Sequence, residues 1–143
     1  MKNVENRDIM HALNQLSRYT VKELNVQLKD HDLYASQWAI IYCLDTFGAM
    51  TQTEIWKYLN TEAPTVTRTL VRMEKSGWIS RKQGQDKRER IIELTQMAIE
   101  RIPTIKKSVE SFDEKLLSAF SQQEKNQLYT LLAKLKSSGE TSE

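Results

Sequence analysis

Between Thr51 and Thr95 the chain gathers side chains suited to holding a polyanion. Arg68, Arg72 and Lys75 follow one another at three- and four-residue spacing behind Thr65 and Thr67. On a helix that spacing puts cations and short hydroxyls along one face. Further on, Asp86, Lys87, Arg88 and Arg90 crowd a polar run between two stretches with strand character. From Thr65 to Arg90 eight Lys and Arg face three acids, a net +5, whereas the whole chain is only +2 and the remainder is −3. Charge focused in this way suits duplex nucleic acid. Thr65 and Thr67 can reach base edges or a thymine methyl, Arg68 can fork onto guanine, and Arg72 and Lys75 fall where phosphates lie. An arginine at the tip of a β-ribbon, Arg88, fits the narrow, strongly negative minor groove. Asp86 would repel the backbone, so it reads as the partner that orients an arginine through a charge-assisted hydrogen bond.

These residues need elements to hold them. Thr51-Gln52-Thr53-Glu54 matches a capping box, in which hydroxyl and carboxylate satisfy each other's orphan amides. It predicts a helix over 52–59 that buries Ile55 and Leu59, with Thr51 and Thr53 placed to touch phosphate. Residues 60–62 read as a turn. Pro64 sits in the first turn of the next helix, where a missing N–H costs nothing, and is counted with the DNA-facing residues. That helix buries Val66, Leu70 and Met73 and stops at Gly77. Strands over 78–83 and 90–94 flank a loop at 84–89. In such a helix-turn-helix the first helix braces the second in the major groove, and the hairpin forms a wing.

The flanks read as helices. Ile9, Leu13, Leu16, Thr20, Leu24 and Leu28 recur every three or four residues, which predicts a helix from about residue 4 to 29. At ~1.5 Å per residue it is too long for one small core to cover, so its N-terminal half is expected on a second copy of the chain. A buried helix over 36–47 ends at Gly48. From Thr95 helix is expected to about Phe120, with a kink or break near Ile102 caused by Pro103. Ser121-Gln122-Gln123-Glu124 opens a last helix carrying Leu128, Leu131, Leu132 and Leu135. Residues 138–143, with Ser137, read as a disordered polar tail. The fold class is therefore mainly α with a small β-hairpin, a winged helix-turn-helix over about 34–95. Helices at 4–30 and 96–137 form a dimerisation frame within one domain of 143 residues.

Other chemistry has little footing. His11 and His31 fall into no metal-ligand spacing, and no phosphate loop, nucleophile elbow or triad is present. No catalytic residue, metal or cofactor is expected. Cys43, the single cysteine, lies in the apolar run 38–44 and reads as a small core residue rather than a redox sensor. No apolar run approaches membrane-spanning length and the N-terminus has no signal-peptide core, so a cytoplasmic site without membrane contact is expected. The main alternative use of the basic face is contact with an acidic protein partner.

The run Asp86-Lys87-Arg88-Glu89-Arg90-Ile91-Ile92-Glu93-Leu94-Thr95 resembles the D-x-R-x-x-x-x-x-L-T wing signature of the MarR family of bacterial transcriptional regulators. Residues 64–79 resemble that family's recognition helix and its exit into the wing. The resemblance implies a winged-helix homodimer on a pseudo-palindromic operator, usually repressing. It also implies that Asp86 and Arg88 act in the wing and that Thr65, Thr67 and Arg68 act in the major groove. The early cysteine of the family's hydroperoxide sensors has no counterpart here. Members that answer to phenolic ligands bind them between frame and winged lobe, and the resemblance implies that Tyr19, Trp38 and Tyr42 line a pocket there for a small aromatic effector.

Overall fold

Met50 pairs with Ile92 and Thr51 with Ile91, and this short ladder ties the start of the helix-turn-helix to the wing. The structure, a computed structural model, describes residues 2–140. In chain order the elements are α1 (Asn6–Leu28), a 3₁₀ turn (Lys29–His31), α2 (Ala35–Phe47), β1 (Met50–Thr51), α3 (Gln52–Tyr58), α4 (Ala63–Lys75), β2 (Ile79–Gln83), β3 (Arg90–Leu94), α5 (Gln96–Leu116) and α6 (Gln122–Glu140). The sheet is antiparallel in the order β1-β3-β2. The hairpin expected from sequence is therefore one strand short of the sheet that forms.

The chain divides into two compact units, one running to Val109 and one from Glu110, with the boundary inside α5. The first unit has a single core. Leu28, Ile40, Ile41, Cys43, Ile55, Leu70, Met73, Ile79, Ile92 and Ile105 are all almost fully enclosed. Ala98, Ile102 and Ile105 bring the first half of α5 into this core. On α1 only Leu28 is buried, and Ile9 and Leu16 are 53% and 50% exposed. Its apolar stripe is covered at the Leu24–Leu28 end and exposed at Ile9 and Leu16.

Local rules account for most boundaries. Gly48 and Gly77 take φ of 81° and 83° just past α2 and α4, a conformation that glycine adopts without a Cβ penalty. The Thr51 box forms as read: Glu54 N donates to Thr51 Oγ1 at 3.1 Å and Thr51 N to Glu54 Oε1 at 3.0 Å. The Ser121 box forms likewise, at 3.1 and 2.9 Å.

Two expectations fail. Of the kink or break expected at Pro103, the break does not occur, since α5 runs unbroken from Gln96 to Leu116. The carbonyl that proline strands is that of Ile99, which lies on the exposed side where water can satisfy it. The disordered tail expected at 138–143, with Ser137, is corrected up to Glu140, where α6 ends. Ser137 and Ser138 turn their hydroxyls back onto the carbonyls of Ala133 and Lys134, at 3.0 and 2.9 Å, so they do not compete with the helix. Residues 141–143 lie outside the described residues.

In the second unit, α6 exposes Tyr129, Leu131, Leu132 and Leu135, while Leu128 is half-buried. Near the end of α5, burial and then the neighbouring Glu110 raise the Asp113 carboxyl above its ordinary range.

Candidate nucleic-acid interface

The turn between α3 and α4 closes through Asn60, whose φ of 53° is tolerated better by asparagine than by most side chains. Pro64 is the second residue of α4. Val66, Leu70 and Met73 then point down into the core, which leaves Thr65, Arg68, Arg72 and Lys75 exposed on the other face. The wing stands on β2 and β3, with Ile79 opposite Leu94 and Gln83 opposite Arg90. Thr95 locks its base: its hydroxyl donates to the Gly77 carbonyl, its amide donates to Trp78 O at 3.1 Å, and Ala98 N donates to Thr95 Oγ1 at 3.3 Å. One threonine thus joins the exit of α4, the wing stem and the start of α5.

The eight cations of the basic segment separate into two groups. Arg81 pairs with Glu74 at 3.5 Å and Lys82 with Glu93 at 3.0 Å, so these two brace the wing stem. Among the described residues no ion pair is recorded for Arg68, Arg72, Lys75, Lys87, Arg88 or Arg90. All six side chains are exposed. Asp86 does orient Arg88, but through the main chain rather than the guanidinium. Its Oδ1 accepts from the Arg88 amide at 3.0 Å, and Glu89 N donates to Asp86 O at 2.9 Å. The carboxylate is spent on shaping the tip, and the Arg88 head stays free.

An open cleft of about 590 Å³ separates the wing from α3. Thr51, Gln52, Thr53 and Glu54 line one wall, and Arg88, Glu89 and Arg90 the other. Gln52 also donates from Nε2 to Thr67 Oγ1 on α4. Gln52 therefore belongs both to the cleft facing the wing and to the contact between α3 and α4. Thr51 and Thr53 lie on the cleft, and Thr67 is half-buried rather than fully presented. The cap holds Glu54 below its ordinary carboxylate range, first through the Thr51 amide and then through the Thr51 hydroxyl.

Two residues that the sequence did not single out have structural roles at this site. Gln52 is one. The other is Arg101 on α5, whose guanidinium lies 4.5 Å over the Trp78 ring and donates to His31 O at 3.0 Å. His31 and Ser108 are also hydrogen-bonded, at 3.1 Å. Of the aromatic trio, Trp38 belongs to the core, whereas Tyr19 and Tyr42 are about half-exposed. Cys43 is fully enclosed, and burial pushes its thiol above its ordinary value. Among the described residues no cluster of three or more His, Cys, Asp or Glu is arranged to hold a metal, and no helix is long and apolar enough to cross a membrane.

Bracing helix, second helix and ribbon together define a winged helix-turn-helix. The MarR family profile matches residues 33–89. Over 120 residues the chain is 48% identical to YwoH of Bacillus subtilis (strain 168), an uncharacterized HTH-type transcriptional regulator; the match takes in 84% of this chain and 88% of YwoH. The fold superposes with a TM-score of 0.89 on a MarR protein from Peptoclostridium difficile, at 20% identity, covering 99% of this chain and 94% of that one. A TM-score of 0.83 is reached with the C80S mutant of MarR from E. coli complexed with operator DNA, at 22% identity over 94% of this chain and 99% of that one. The chain belongs to the MarR family and is a transcriptional regulator of that family.

Proposed function

We propose that the chain acts as a homodimer that binds a twofold-symmetric operator in duplex DNA and represses where that operator overlaps a promoter. The observation that carries this reading is a wing whose exposed Arg88 and Arg90 face α3 across one cleft, while Gln52 on that cleft bonds to Thr67 of α4, the helix that exposes Arg68, Arg72 and Lys75 without ion-pair partners among the described residues. α4 would lie in the major groove with Thr65, Thr67 and Arg68 toward base edges and Arg72 and Lys75 toward phosphates. Pro64 would set its entry, and Thr51 and Thr53 would meet the strand beside the cleft. Arg88 would enter the minor groove, with Lys87 and Arg90 on the flanking phosphates. The bound state of the E. coli relative supports the reading, because the same fold there holds operator DNA.

Pairing would follow from the exposed part of the stripe on α1 and the leucines of α6, which bury little within one chain. A small aromatic effector would stack on the half-exposed rings of Tyr19 and Tyr42, the latter one turn after Trp38. Its effect on DNA affinity would be limited by its differential affinity for the binding-competent and incompetent states. Selection of bound fragments from random duplexes tests the proposal. The expected result is an enriched inverted repeat with half-site centres roughly 10 base pairs apart. Recovery of unrelated sequences would instead favour the basic face as a contact for an acidic protein.

A further inference from the structure

Thr65 and Thr67 are chemically identical side chains two residues apart, yet their hydroxyls stand in different hydrogen-bonding states. Thr65 is exposed, and no hydrogen bond of its hydroxyl is recorded among the described residues. Thr67 is half-buried and makes two. Its Oγ1 donates to the Ala63 carbonyl at 3.0 Å and accepts from Gln52 Nε2. A hydroxyl carries one proton and two lone pairs. With the proton given to Ala63, the Gln52 amide must present its NH₂ to Thr67, because its oxygen would find no proton there. One lone pair is then taken, and Thr67 retains a single lone pair and its methyl group.

We infer that Gln52 is a specificity-setting residue that acts through Thr67: with the Thr67 proton held by the Ala63 carbonyl, Gln52 takes one of the two lone pairs and restricts Thr67 to a methyl contact or one accepted hydrogen bond. The inference rests on the proposal that α4 reads the major groove. Its consequence is selective. Thymine offers a C5-methyl, and adenine and cytosine offer exocyclic amino donors, so these bases suit Thr67. On its major-groove edge guanine offers only acceptors, N7 and O6, so Thr67 does not suit it. Gln52 also lines the cleft facing Arg88 and Arg90, so a change in the wing's hold on a strand would meet the residue that fixes the reading side chain.

The test is a double-mutant cycle in the full-length chain, read on a selected operator and on a scrambled duplex of equal composition. Gln52→Met keeps the length and packing of the side chain and removes the donor. Thr67→Val removes the hydroxyl and keeps the branched shape. Gln52→Met is expected to lower operator affinity about tenfold, to leave scrambled binding within about twofold, and to relax the preference among thymine, adenine and cytosine at the position facing Thr67. The double variant should be no worse than Thr67→Val alone. Equal losses on both duplexes, or a double variant whose loss is the product of the single losses, would overturn the inference. If the unaltered chain fails to distinguish the two duplexes, the DNA-reading proposal fails instead. Discrimination that is unchanged in Gln52→Met removes only the role given to Gln52.

Discussion

The Asp86 carboxylate accepts a hydrogen bond from the backbone amide of Arg88 at 3.0 Å, so the acid at the wing tip is a turn-former and not a counter-ion. The two roles lead to opposite expectations. As a bare negative charge near a phosphate, Asp86 would weaken DNA binding, and its removal would strengthen it. As the acceptor that folds the tip, it supports binding, and its removal releases the loop. Asp86→Ala is therefore expected to lower operator affinity about tenfold, and Asp86→Asn, which keeps the acceptor, to restore most of it. Fluorescence titration of both variants checks this.

Arg88 carries the charge that the turn presents. Arg88→Ala should weaken binding and reduce the slope of log K against log salt by about one, the signature of one lost phosphate-like contact. An unchanged slope would place the Arg88 head away from DNA.

The cation over Trp78 predicts a stability effect far from any DNA contact. Arg101 stacks on the ring at the base of the wing and donates to the last carbonyl of the 3₁₀ turn after α1. Arg101→Met should lower unfolding free energy by about 1–2 kcal/mol. Arg101→Lys should recover only part, because an ammonium lacks the planar fork. Denaturant melts of the three proteins check the ranking.

Acid and base should act on different residues. Glu54 has its carboxyl held down by the folded cap, so its contribution is present above the ordinary value of 4.5 and is lost as pH falls through the lower folded value. The melting-temperature gap between the wild type and Glu54→Ala should therefore narrow below pH 4.5. Cys43 is shifted the other way by burial. The stability linked to its neutral thiol is present below 9.0 and is lost as pH rises through the higher folded value. Native protein at neutral pH should react with a thiol reagent only as fast as it opens.

The proposed pairing predicts a change in size. Leu16→Glu in the exposed stripe of α1, or removal of the first eight residues together with α6, should yield monomers in sedimentation. DNA binding should then fall toward the non-specific level. A monomer that retains full affinity would contradict the paired arrangement.

How much of this was legible in the sequence follows from how local each cause is. The Thr51 and Ser121 boxes and the glycine stops depend on residues within a few positions of one another, and all form as read. β1 was missed because two residues carry no periodicity, and it becomes a strand only against Ile91 and Ile92, some forty positions on. Arg101 belongs to no local pattern, and its partners Trp78 and His31 come from distant parts of the chain. Gln52 was read only as a spacer inside a capping box, and its bond to Thr67 spans 15 positions. Pro103 and the serines of α6 misled for the converse reason. The general penalty for each is real, but an exposed carbonyl or an available i−4 acceptor removes it in this setting.

The most direct test of the account is a competition titration at ~150 mM salt between the selected operator and a scrambled duplex of the same length and composition. A winged-helix reader with cations on α4 and the wing should prefer the operator by about a thousandfold or more. Equal affinity for the two duplexes would contradict it.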